Sequence, residues 1–134
     1  MLPKRKLGST DLSLSSLALG TVKFGRNTDV KYPENFELPD IKTCENLVDQ
    51  AYDLGFNILD TAPAYGLSEQ RLGEILKTRA SQDWLICTKA GENYDIKNKK
   101  SNFDFSTKSI KSSLHNSLKL LNKSHIDIFL IHSD

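Results

Sequence analysis

The apolar positions fall into short solid runs separated by stretches of helical spacing. Residues 17–19, 56–60, 84–88 and 126–131 are compact apolar runs, the pattern of strands buried in a sheet. Between them, Ile41, Cys44, Leu47, Val48, Ala51 and Leu54 recur on one helical stripe. Leu72, Ile75 and Leu76 mark a second helix, and Ile110, Leu114, Leu118 and Leu121 a third. Asp40, Ser68 and Ser106 stand where N-caps belong, the second helix being expected over 69–78. Gly55 sits at the C′ position of the first helix. Gly73 costs about 1 kcal/mol against alanine inside a helix, so it predicts a close contact there. Ahead of these elements, residues 4–14 read as a hairpin, with Leu7 and Leu12/Leu14 flanking Gly8-Ser9-Thr10-Asp11. Residues 22–39 and 91–105 read as long polar loops, and Lys97-Asn98-Lys99-Lys100 as a solvated loop tip. The order is a hairpin followed by β-α-β-α-β-α-β. That predicts one α/β domain over residues 1–134, with a parallel sheet and right-handed crossovers.

Composition narrows the setting. A net charge of +1 gives no electrostatic argument for nucleic acid or a membrane surface as partner. No apolar run approaches the roughly 20 residues of a membrane span. Met1-Leu2-Pro3-Lys4-Arg5-Lys6 is basic but lacks the apolar stretch of a signal peptide, so a cytoplasmic setting is expected. Cys44 and Cys87 have neither metal-ligand nor disulfide-framework spacing and read as small core residues. His115 and His125 fall off the apolar stripes and read as surface or boundary residues.

The chemistry gathers where the strand runs stop. Leu59 is followed by Asp60, Thr88 by Lys89 and Ile131 by His132, and Tyr65 lies in the Pro-containing turn after Asp60. In α/β sheets, function collects at the carboxyl ends of parallel strands. A half-buried aspartate there asks for a cation, and Lys89 supplies one. A tyrosine hydroxyl titrates near pH 10, and a neighbouring ammonium favours the phenolate. The four residues therefore suit proton donation to a carbonyl oxygen, with His132 orienting that oxygen. Each residue also has a plain reading: Asp60 as a turn cap, Tyr65 as a packed aromatic, Lys89 and His132 as surface residues. Together, in this order, they are far more specific. No covalent nucleophile, no glycosidase carboxylate pair and no metal site is evident. A reductant is missing from the set. No Gly-x-Gly-x-x-Gly follows a strand, so a Rossmann site has no support.

These residues carry a resemblance. Leu7-Gly8, Leu19-Gly20-Thr21, Leu59-Asp60-Thr61-Ala62 with Tyr65-Gly66, Ser68-Glu69 with Leu72-Gly73, Thr88-Lys89 and Leu130-Ile131-His132 are similar to the motifs of the aldo-keto reductases. Those are (β/α)8-barrel enzymes that reduce aldehydes and ketones with NADPH. The resemblance implies Tyr65 as general acid, Asp60 and Lys89 as its activating pair, and His132 as the residue that orients the carbonyl. It places Gly20, Thr21 and Asp60 along the nicotinamide end of the cofactor, NADPH with NADH as the alternative, and sets the hairpin across the N-terminal mouth of the barrel. A small carbonyl compound is the implied substrate.

Length departs from the family. A (β/α)8 barrel takes about 250 residues, and 134 residues hold four strands and three helices. The expectation is a truncated, parallel half of a TIM barrel. The rest of the cofactor site would lie in the other half. Its first and fourth strands would form exposed edges that pair with another copy or a second half-barrel chain. The alternative is a catalytically inactive half-barrel serving as an interaction or regulatory module. One geometric condition follows: Ile58 and Asp60 must share the barrel-facing side of the sheet with Leu85, Cys87 and Lys89 and with Ile128, Leu130 and His132.

Overall fold

The computed structural model describes residues 1–132. β1 (Lys4–Lys6) and β2 (Ser13–Ser15) form the expected antiparallel hairpin. It is short and largely exposed, so its position depends on polar anchors. Asn57, just ahead of the next strand, supplies them. Its side chain accepts the Ser15 N–H at 2.7 Å and donates to the Ser13 carbonyl at 2.8 Å. The hairpin is thereby fixed at the N-terminal ends of the sheet strands.

The main sheet has four parallel strands in sequence order: β3 (Leu19–Gly20), β4 (Ile58–Asp60), β5 (Leu85–Ala90) and, last in the chain, β8 (Ile128–Ile131). The first is shorter than the apolar run suggests. Only Leu19 and Gly20 find partners, Leu59 and Asp60, and Leu17 is left exposed. Crossover helices α2 (Ile41–Asp53), α3 (Ser68–Lys77) and α4 (Thr107–Leu121) join the strands. Asp40 caps α2 by accepting the Thr43 N–H at 2.7 Å, and Ser106 caps α4 through Ser109.

The register meets the geometric condition. Ile58 pairs with Leu85, Asp60 with Cys87, Cys87 with Ile128 and Lys89 with Leu130. Paired residues of parallel strands point the same way, so these residues form one face. The opposite face, with Leu59 and Ile86, packs on the helices around Val48, Leu72, Ile75, Trp84 and Leu121. Burial of that layer is the main stabilising term.

Gly73 behaves as its helical position predicts. A Cβ there would lie 1.9 Å from the Leu120 carbonyl oxygen, so α3 and α4 touch through backbone. In keeping with that close approach, α4 turns Ser113, Ser117 and Leu121 fully inward and leaves Ile110, Leu114 and Leu118 half-buried. Three local expectations need correcting. Ser68 does not cap α3; it is the helix's first residue, and its buried hydroxyl serves tertiary contacts instead. The stretch 22–39 begins with a short helix, α1 (Val22–Gly25). The stretch 91–105 holds a second hairpin, β6 (Glu92–Asp95) with β7 (Lys100–Phe103). Its tip is the lysine-rich run, held by Asp95 accepting the Lys97 and Asn98 N–H groups.

Candidate active site

The site is built at the carboxyl ends of β4 and β5. Lys89 is the penultimate residue of β5, and its neighbours leave it 9% exposed. Its ammonium donates to Asp60 Oδ1 at 2.7 Å, to the Thr61 carbonyl at 3.0 Å and to the Tyr65 hydroxyl at 3.2 Å. One cation thus joins a carboxylate, a backbone carbonyl and a phenol. Burial pulls the Lys89 ammonium toward neutrality, but the Asp60 hydrogen bond and charge, with Tyr65, outweigh it. The group titrates above its ordinary value and stays charged.

Tyr65 is delivered by a 3-10 turn, Pro63–Tyr65, directly after the strand. Pro63 starts the turn with its fixed φ. Gly66 leaves it at φ +62°, where a Cβ would strike the Gly25 carbonyl oxygen at 2.3 Å. Larger residues at either glycine would push the turn off α1. Arg26 braces the same turn by donating to the Ala64 carbonyl at 2.9 Å.

Beneath the turn, three buried hydroxyls lock the strand ends to α3. Ser68 Oγ lies 3.0 Å from Thr61 Oγ1 and donates to Thr21 Oγ1, which donates to the Asp60 carbonyl. Thr21 is fully buried. The resemblance places it beside the cofactor, and its side chain fixes the backbone that carries Asp60. Gly20 differs: a Cβ there would meet nothing within 4 Å. It lies beside Asp60 in the sheet register, on the face that carries Lys89. Gly20 thus leaves an open surface next to a carboxylate–ammonium pair.

His132 follows β8, and its N–H donates to the Ala90 carbonyl at 2.7 Å. Its ring meets Tyr65 edge-on, with centroids 5.8 Å apart. Asp60, Tyr65, Lys89 and His132 therefore converge, three from strand ends and Tyr65 from the turn. Burial lowers the pKa of His132 below its ordinary value. Glu92 and Asp60 work against that, Lys89 and Arg26 with it. Cys87, paired with Asp60 across the sheet, is pushed up to about 11 by burial and then by the Asp60 charge, so it is an inert thiol. His125 is exposed, and Cys44 and Cys87 are both buried and free, as expected.

Two residues of the cleft beside this site escaped the sequence reading. Arg26 and Glu92 line a cleft of about 530 Å³ that also holds Tyr65, His132 and the apolar side chains Val22 and Val30. They come from the two long polar stretches, 66 residues apart, and meet at 3.4 Å. Glu92-Asn93-Tyr94-Asp95 shows no apolar–polar alternation, so the strand that carries Glu92 had no local sign in the sequence.

Comparison with known proteins is consistent throughout. The model of the Aldo/keto reductase family matches residues 16–134. A solved aldo-keto reductase structure from Pseudomonas aeruginosa superposes with TM-score 0.83 and 46% identity, covering 98% of this chain and 48% of that one. The oxidoreductase YqkF of Bacillus subtilis, itself uncharacterized, is 33% identical over 96% of this chain and 38% of its own length. The NADH-specific methylglyoxal reductase of Escherichia coli K12 is 32% identical over 96% of this chain and 41% of its own. The chain thus spans less than half the length of each of these relatives.

Proposed function

The chain belongs to the aldo/keto reductase family, and from that premise we propose that it carries the proton-donating half of a carbonyl reductase that uses NADPH. The observation that carries the reading is the Lys89 ammonium, bonded at once to Asp60 and to the Tyr65 hydroxyl. A carbonyl oxygen entering the cleft meets the Tyr65 hydroxyl and His132 together. The dihydronicotinamide, when bound, supplies a hydride to the carbonyl carbon. Negative charge then grows on the oxygen, and Tyr65 gives it the phenolic proton. The phenolate left behind is stabilised by Lys89. Asp60 keeps Lys89 charged and aimed. Gly20 and Asp60 are the residues of this chain that would face the nicotinamide.

NADPH is the proposed reductant, with NADH as the alternative. The E. coli relative's name gives NADH, whereas an aryl-alcohol dehydrogenase relative's gives NADP(+). The substrate is a small aldehyde or ketone, suited to a cleft walled partly by Val22, Val30 and Ala64. The two free, buried thiols suit a reducing, cytoplasmic setting. Transfer of deuterium from NADPH carrying deuterium at both C4 positions to the carbinol carbon of the alcohol formed from an aromatic aldehyde tests the reading. Label at that carbon supports it; an unlabelled product, or none, contradicts it.

A second reading is an interaction module. It is favoured by β8, which is an edge strand among the described residues and whose Leu130 and Ile131 are 43% and 60% exposed. Such an edge is open to pairing with a second copy or a complementary half-barrel. A stable homodimer with no NADPH affinity would favour this reading.

A further inference from the structure

We propose that Glu92 is a positioning residue for His132: it holds the imidazole by Nδ1 and so decides which ring nitrogen carries the proton at the substrate end. The catalytic consequence rests on the carbonyl-reduction reading above; the proton assignment stands on geometry.

Glu92 sits on β6 with its side chain 14% exposed. Its Oε1 accepts the Ser101 hydroxyl at 2.6 Å from β7 and lies 3.4 Å from Arg26 Nη1. Arg26 is itself fixed. It donates to the carbonyls of Thr28, Ala64 and Asp29 at 2.9–3.0 Å, and its guanidinium stacks 3.9 Å over the Tyr94 ring. With those partners on Oε1, Glu92 directs Oε2 at the histidine, 3.7 Å from Nδ1. Nδ1 is buried and has no hydrogen-bond partner among the described residues; Glu92 Oε2 is the carboxylate oxygen facing it. A lone pair on Nδ1 would set two acceptors face to face. A proton there makes an N–H···O contact that a small side-chain rotation brings to hydrogen-bond length.

Nε2 is then the nitrogen left for substrate. In the neutral ring it offers a lone pair; in the imidazolium it offers an N–H. A carbonyl oxygen is an acceptor and needs the imidazolium. An alcohol can donate to the neutral ring. The groups that bear on this balance are Glu92 and Asp60, which favour the imidazolium, and Lys89, Arg26 and burial, which oppose it. The Tyr65 ring lies edge-on to the imidazole. Glu92 is therefore the group that keeps the donor form within reach. Carbonyl reduction is expected to fall, and alcohol oxidation to rise, as pH passes the His132 midpoint.

Nitrogen-15 NMR on the intact protein, with the His132 signals assigned by their loss in His132→Asn, reads the tautomer without any turnover. The expected result is a neutral ring protonated on Nδ1. In Glu92→Gln the titration midpoint moves down, and kcat for carbonyl reduction at neutral pH falls on the order of tenfold with KM little changed. A neutral wild-type ring protonated on Nε2, or a midpoint unmoved in Glu92→Gln, would overturn the inference. If Glu92→Gln does not fold, the wild-type tautomer alone decides. An Nδ1-protonated ring in a protein that reduces no carbonyl would sink the functional reading and leave the Glu92 assignment standing.

Discussion

At the centre of the sheet, five of the six residues of β5 are buried, and Lys89 is bonded on three sides. One strand away, β8 has no buried residue, and two of its four residues are exposed. Each strand brings a residue of the candidate site to its carboxyl end, Lys89 just inside β5 and His132 just past β8, yet each holds its residue differently. Lys89 is held by its own surroundings: Asp60 and Thr61 from the neighbouring strand end, and the Tyr65 turn above. His132 is placed through its backbone by β5 and through its ring by Glu92 and Tyr65. The site is thus rigid where charge must be held and open where a substrate or a further strand can approach.

Breaking the centre has the largest expected effect. Lys89→Met leaves a half-buried Asp60 and the Thr61 carbonyl without their cation. Carbonyl reduction is expected to fall on the order of a thousandfold or more, read in single-turnover NADPH oxidation. Activity within tenfold of wild type would show that the centre is not the source of the acid. Gly73→Ala tests the helix layer behind the sheet. The new Cβ meets a backbone oxygen that cannot step aside, so urea unfolding should show a loss of about 2–3 kcal/mol.

Glu69 sharpens the comparison from the same layer. It is 1% exposed and accepts the Thr88 hydroxyl at 2.6 Å, while its Oε2 has no partner among the described residues. Burial raises its pKa, against smaller opposing contributions from Thr88, Ser117 and Lys89. The folded state therefore keeps a proton that the unfolded chain releases above about pH 4.3. Stability from this group is fully present below that pH and is lost as pH rises through the folded value. Glu69→Gln should stabilise the protein by about 1 kcal/mol at neutral pH, with the gain vanishing in acid denaturant melts. The edge gives the smallest change. Ile131→Lys is expected to alter unfolding stability by less than about 0.5 kcal/mol while reducing self-association in sedimentation velocity. Unchanged association would mean that β8 is not the pairing edge.

How much of this was legible in the sequence follows from what each residue does locally. Asp60 and Lys89 were readable because apolar runs stop on them, and a charge at a buried strand end needs a partner. Asp40 and Ser106 were readable because a cap is a three-residue event. Ser68 was misplaced because its hydroxyl serves Thr21 and Thr61, 47 and 7 residues away, rather than its own helix. Arg26 and Glu92 stayed hidden in polar stretches. All four residues of β6 are half-buried, so no hydrophobic period marks them, and their partners lie 66 residues apart. The share of the family barrel that this chain spans, 48% of the Pseudomonas aeruginosa relative, became a number only by superposition.

The central claim is that Tyr65, held by Lys89, gives the proton. Its most direct test is carbonyl-dependent NADPH oxidation by the protein beside Tyr65→Phe, with NADPH binding to both followed by fluorescence. The account predicts equal binding, and oxidation lost by two or more orders of magnitude in the phenylalanine variant. Equal turnover by the two proteins, or no carbonyl-dependent oxidation by either despite tight binding, would contradict it.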